Sequence, residues 1–150
     1  MLTKKEIDNF FDSGVIAVAG VSRSGKKFGA TVFKELKRKG FTVYPVNPSG
    51  GKIGDEKLYT SLSEIEDKVE ALVTVVPKEK TIDVVKEAIS IGIEKIWMQQ
   101  GSESQEAIDY CIKNKIVPVT GECILMFAEP TTFIHSAHKW INKVIGKLPA

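Results

Sequence analysis

The sequence predicts an α/β fold built on a doubly wound parallel sheet. Three observations carry this expectation. Five apolar runs of strand length recur, starting at Val15, Thr42, Ala71, Lys95 and Ile116. They are largely apolar without alternation, as suits strands buried on both faces. Amphipathic stretches of helical period fill most of the gaps, so short right-handed crossovers are expected.

Val15 to Val21 is the first predicted strand. Val32, Phe33 and Leu36 then share one face of a predicted helix, while Lys34, Lys37, Arg38 and Lys39 face water. That basic face reads as solvated surface. Gly40 suits the left-handed position after the helix end. Thr42 to Val46 is the second strand. Pro48 to Asp55 reads as a turn-rich loop, Leu58-Tyr59 as a short edge strand, and Ser61 to Glu66 as a short helix capped by Ser61 or Ser63. Ala71 to Val76 is the third strand. Lys78 to Ile91 places Ile82, Val85, Ala88 and Ile89 at helical spacing and closes at Gly92. Lys95 to Met98 is the fourth strand, Ser104 to Asn114 a helix with Ala107, Ile108, Cys111 and Ile112 inward, and Ile116 to Val119 the fifth strand. Pro130 can open a last helix to Ile145, with a stripe of Ile134, Ala137, Ile141 and Val144 against the sheet edge or a second copy of the chain.

At 150 residues the chain predicts one domain, 1–150, with no internal boundary. Its 43% hydrophobic and 27% charged residues exclude a disordered chain. Twenty-one basic against 19 acidic residues leave +2, too weak an excess for a dedicated nucleic-acid binder. Two cysteines make neither a disulfide framework nor a zinc site. The first nine residues carry charge of both signs and no long apolar run, so no signal peptide or membrane span is expected. The expectation is a reduced, cytoplasmic protein.

In open α/β sheets ligands bind beyond the carboxyl ends of the strands. The most informative such segment is Gly20-Val21-Ser22-Arg23-Ser24-Gly25-Lys26-Lys27-Phe28-Gly29. Glycines let backbone N–H groups approach an anion, and the following helix N-terminus favours negative charge. Arg23, Lys26 and Lys27 add cations. The plainer alternative is a glycine-rich turn with solvated lysines. A nucleotide-hydrolysing P-loop fits Gly20 to Lys26 but fails at Lys27, where a magnesium-binding hydroxyl is needed. The dinucleotide template G-x-G-x-x-G fails at Ser22. The second strand ends in Asn47-Pro48, without the ribose-binding carboxylate that selects NAD. NADP stays open, its 2′-phosphate meeting basic residues.

Beyond single motifs, an ordered set of segments spans the chain. It runs Val18-Ala19-Gly20-Val21-Ser22-Arg23, Phe28-Gly29, Gly40-Phe41-Thr42-Val43-Tyr44-Pro45-Val46-Asn47-Pro48, Gly54 and Tyr59-Thr60-Ser61-Leu62. It continues through Val75-Val76-Pro77, Glu87-Ala88, Gly92 and Ile96-Trp97-Met98-Gln99-Gln100-Gly101. In these residues, from about Phe10 to His138, the chain resembles the small CoA-binding proteins. These share a domain type with the nucleotide-binding part of the succinyl-CoA synthetase α-subunit. The resemblance implies a three-layer Rossmann-like domain that binds coenzyme A or an acyl-CoA. On the matching positions, Gly20 to Ser22 and Phe28-Gly29 would lie under the pyrophosphate. Asn47-Pro48 would flank the adenosine end, Val76-Pro77 would contact the adenine or the pantetheine stem, and Gln100-Gly101 would lie along the crevice. The chain departs at Gly121-Glu122-Cys123, where many relatives carry Asp-Arg-Cys.

No catalytic residue and no metal site is expected. Synthetases of this superfamily use a phosphohistidine and further domains, whereas His135 and His138 stand in the predicted last helix with no acidic partner. Cys111 reads as core. Cys123 reads as a small buried hydrophobe, or as a thiol able to form a mixed disulfide with coenzyme A. Trp97, Met98, Phe41 and Tyr44 read as packing. The expected function is reversible binding of coenzyme A or acyl-CoA, alone, as a homodimer or with a protein partner. The alternatives are an NADP-linked oxidoreductase, for which Tyr110 lacks a lysine four residues on, and a purely structural interaction module.

Overall fold

The structure, a computed structural model, describes residues 4–66 and 68–128. In chain order the elements are α1 (Lys4–Phe11), β1 (Val15–Ala19), α2 (Phe28–Arg38), β2 (Thr42–Val46), β3 (Lys52–Ile53), β4 (Glu56–Lys57), a 3₁₀ turn (Leu62–Ile65), β5 (Ala71–Thr74), α3 (Lys78–Ser90), β6 (Lys95–Met98), α4 (Gln105–Lys113) and a second 3₁₀ turn (Ile124–Met126).

The main sheet is parallel, in the order β2-β1-β5-β6. β1 is central, pairing Ile16 with Val43 on one side and with Ala71 on the other. Burial on both faces explains the unbroken apolar runs. Ile16 and Val18 pack with Val32, Phe33 and Leu36 of α2, while Ala17 and Ala19 pack on the face that holds Val85 and Ala88 of α3 and Ala107 and Cys111 of α4. Helices therefore cover both faces, and the expected three-layer Rossmann-like architecture is observed.

Among the described residues the sheet has four strands, and the fifth expected one is not formed. Ile116 to Val119 contributes one parallel bridge, Val119 to Trp97. There the Val119 N–H donates to the Ile96 carbonyl at 2.9 Å, and the Met98 N–H donates to the Val119 carbonyl at 2.8 Å. The backbone limits this segment. Lys115 enters it with φ 64°, and Gly121, at φ 74°, turns the chain away. The Gly121 N–H goes to the Glu103 carboxylate at 3.0 Å instead of extending the ladder. Pro118 offers no N–H at all.

Other differences are local. Lys52–Ile53 and Glu56–Lys57 form a small antiparallel hairpin inside the segment expected to be loop. Of the expected edge strand, Tyr59 makes a single parallel bridge to Val46. The short helix is a 3₁₀ turn flanked by Ser61, whose side chain makes no capping hydrogen bond. Instead the Thr60 N–H and hydroxyl both donate to Glu64, at 2.8 and 2.6 Å. These bonds hold the exposed Glu64 carboxyl below its usual range.

α1 was not foreseen. Ile7, Phe10 and Phe11 recur at helical spacing and are buried. The two phenylalanine rings lie 5.3 and 5.5 Å from that of Trp97, which is fully buried. The predicted C-terminal helix, with His135 and His138, lies outside the described residues.

Two glycines set the distance between β1 and α2. A Cβ on Gly29 would strike the Gly20 carbonyl, and one on Gly20, at φ 107°, would strike the Val75 carbonyl. The first turn of α2 thus rests directly on the backbone that leaves β1. Gly29 lies inside the helix, so alanine there gains up to about 1 kcal/mol of helix propensity. Overpacking against backbone costs typically about 1–3 kcal/mol, with little freedom to relax. Gly29→Ala is therefore expected to be destabilising on balance. A urea midpoint equal to or above that of the parent chain would contradict this close approach.

Candidate functional site

The loops leaving β1 and β5 run to opposite faces of the sheet, to α2 and α3. A crevice opens at the carboxyl ends of neighbouring strands whose connections diverge in this way. Here it is a cleft of about 650 Å³. One wall is the glycine loop, with Gly20, Ser22, Lys27, Phe28 and Gly29. Asn47, Pro48 and Ser49 follow β2, and Thr60, Ser61 and Leu62 close that side. The opposite wall is Val75, Val76 and Pro77 with Lys80, Asp83, Val84 and Glu87 of α3.

Two helix N-termini meet this cleft. No side chain caps α2, whose first turn carries no acid, and none caps α3, which begins after Pro77. Their N–H groups and dipoles favour an anion. Lys27 and Lys80 add exposed cations, while Asp83 and Glu87 make the α3 side acidic further along. Glu87 is anchored by the Ser63 hydroxyl, which donates to it at 3.1 Å. Phe28 is 46% exposed and presents an aromatic surface at the mouth.

Asn47 holds the loops together. Its side-chain amide donates to the Val21 carbonyl at 2.8 Å, and its side-chain oxygen accepts the Ser49 N–H at 2.8 Å. The Gly20 and Val21 N–H groups both donate to the Val46 carbonyl, at 3.0 and 3.3 Å. Val21 is fully buried and serves the cleft only through this backbone. Asn47 thereby takes the place of a ribose-binding carboxylate as a brace between two loops.

The structure gathers Gly20, Ser22, Lys27, Phe28, Gly29, Asn47, Pro48, Val76 and Pro77 of the sequence-derived set around one cleft. Arg23 lines a separate groove on the other side of the loop, and Lys26 lines neither. Gln100 and Gly101 are exposed after β6 and do not line the cleft; the Gly101 N–H is taken by Glu103 at 2.8 Å. Its neighbour Gln99 is buried and accepts the Ile124 N–H at 2.9 Å.

Sequence reasoning missed the α3 contribution. Lys80, Asp83, Val84 and Glu87 recur at helical spacing, which was the available signal. It also missed a buried hydroxyl cluster that positions Pro77. The Thr81 hydroxyl donates to the Ser102 carbonyl at 2.6 Å, and the Ser102 hydroxyl lies 2.9 Å from that of Thr74. This cluster ties the end of β5 to the first turn of α3 and to the loop after β6. Cys123 is half-buried and lies off the cleft lining. Cys111 is core, and burial pushes its thiol up to about 11. Among the described residues no group of three or more His, Cys, Asp or Glu could hold a metal ion, and no helix is long and apolar enough to cross a membrane.

Against known proteins, the profile of the CoA binding domain matches residues 14–129. The chain belongs to the CoA binding domain family. It is 37% identical over 91 residues to the α-subunit of an ADP-forming acetate–CoA ligase II of Pyrococcus furiosus, which covers 60% of this chain and 20% of that protein. An ADP-forming acetate–CoA ligase II of Archaeoglobus fulgidus is 32% identical over 106 residues, 69% of this chain and 16% of that protein. The chain thus spans about a fifth or less of these curated relatives. Among solved structures, a conserved hypothetical protein of Pyrococcus furiosus superposes with a TM-score of 0.71 at 37% identity, covering 75% of this chain and 97% of that one.

Two outcomes follow from this geometry. Asn47→Ala removes both bonds of the brace, and a stability loss of about 1 kcal/mol is expected in urea unfolding. An unchanged midpoint would show that the loops hold without it. For Cys111, the thiol stays protonated in the fold to about pH 11, against an ordinary value of 9.0. The unfolded chain therefore loses this proton first, and the contribution of this thiol to stability falls as the pH rises from 9 to 11. In native protein a thiol reagent is expected to label Cys123 well ahead of Cys111.

Proposed function

We propose that this chain reversibly binds coenzyme A or an acyl-CoA in the cleft between the glycine loop and α3. One observation carries the reading. In a member of the CoA binding domain family, a single cleft collects the glycine loop, Lys27 and two uncapped helix N-termini. A pyrophosphate is the chemical group that such a collection suits. It would lie along Gly20, Ser22 and the first turn of α2 at Phe28-Gly29, with Lys27 compensating its charge. Pro48, Val76, Pro77 and Val84 offer apolar surface for a base or for the pantetheine stem.

The chain binds without making or breaking bonds by itself. Among the described residues, the titratable groups that line the cleft are Lys27, Lys80, Asp83 and Glu87, with no histidine or cysteine. Acyl activation would then belong to a partner, as the ligase-subunit relatives suggest. Such a partner would need access to the reactive end of the ligand.

Calorimetric titration of the reduced 150-residue chain with coenzyme A, with NADP run beside it, tests the reading. Saturable binding of coenzyme A is expected. Binding of NADP alone would replace it with a reductase. The Lys26→Ala/Lys27→Ala double variant should bind coenzyme A roughly tenfold more weakly and show a flatter salt dependence. Lys27→Ala alone should account for most of the loss, since Lys26 does not line the cleft. Full affinity in the double variant would remove the loop from the site.

A further inference from the structure

The loop between β1 and α2 has two sides. Ser22, Lys27 and Phe28 face the cleft, whereas Arg23, Ser24 and Gly25 line a second groove of about 580 Å³. Its other walls are α2 and the β3–β4 turn.

The cations of this groove are unequally committed. Lys37 pairs with Glu56, and Arg38 pairs with Glu35 at 2.9 Å. Lys34 donates to the neutral Gly25 carbonyl at 3.1 Å, which leaves its charge uncompensated. Arg23 has no hydrogen-bond or ion-pair partner among the described residues, although its stem is seated. Gly51, at φ 98°, lies so close beneath it that an added Cβ would stand 2.6 Å from the Arg23 Cδ. Asp55, at the β3–β4 turn, is the opposing charge. With the paired groups cancelled, Arg23 and Lys34 against Asp55 leave the groove positive.

A seated guanidinium and an ammonium that line one groove match a phosphate monoester. The fork can give two parallel hydrogen bonds, and the second cation answers the charge of about −1.5 to −2 that such a group carries. We propose that this groove is a phosphate-monoester site formed by Arg23 and Lys34. The monoester is the 3′-phosphate of the same coenzyme A whose pyrophosphate lies in the cleft. This rests on the cleft reading, and one loop would then separate two phosphate subsites of one ligand.

The experiment compares coenzyme A with dephospho-CoA, which lacks only the 3′-phosphate, on the full chain. Arg23→Gln keeps the stem over Gly51 and removes the charge; Lys34→Gln is the second variant. The parent chain is expected to prefer coenzyme A by roughly tenfold or more, as charged hydrogen bonds allow. The preference should fall to near unity in Arg23→Gln and shrink in Lys34→Gln. A preference that survives both variants overturns the groove assignment and leaves the cleft standing. If the parent chain binds neither ligand, the cleft reading fails, and inorganic phosphate decides the groove by NMR. Shifts at the Arg23 and Lys34 side chains that saturate would sustain a phosphate site fed by a separate ligand. Their absence would end the proposal.

Discussion

The backbone contact between Gly29 and Gly20 sets the geometry on which the cleft depends. It brings the first turn of α2 onto the chain leaving β1, closer than any side chain would permit. Gly20 in turn lies against the Val75 backbone, so the loops after β1 and β5 are fixed to each other. The N-terminus of α2 thereby borders the crevice where the connections of β1 and β5 part. Without that approach the lysines would still be present, but the first turn of α2 would stand off the glycine loop.

Around this contact the cleft is braced by uncharged polar groups. Asn47 joins the glycine loop to the loop after β2, and the Thr74, Thr81 and Ser102 hydroxyls join β5 to α3. Neutral bracing adds no charge where the loops after β1, β2 and β5 meet. The charged groups, Lys27 and Lys80 on one hand and Asp83 and Glu87 on the other, sit on the rim. In the proposed reading, that division lets the polyanion enter without displacing an internal salt bridge, which would have cost desolvation twice.

Much of this was legible in the residues. Runs such as Ile16 to Ala19 announce burial on both faces, and the starts of β1, β2, β5 and β6 fall where those runs begin. The glycine loop was legible because glycines between a strand and a helix mark a close approach of backbone to backbone. Less legible were features that depend on a neighbour. α1 carries more charge than apolar content, and its helix matters only because Trp97 waits beneath it. The fifth strand looked complete until Lys115, Pro118 and Gly121 were seen to reduce it to one bridge. The α3 rim and the buried hydroxyls have ordinary helical and loop sequences, and only the strand order turns them toward the cleft.

The family profile begins at residue 14, yet Phe10 and Phe11 lie upstream of it and cover Trp97 from the side of β6. The unit recognised by ancestry is therefore smaller than the unit that closes its own core. A fragment cut at the recognised limit would carry a bare indole face and a ready surface for self-association. The helix before β1 therefore belongs to the core packing of this chain as much as the strands do.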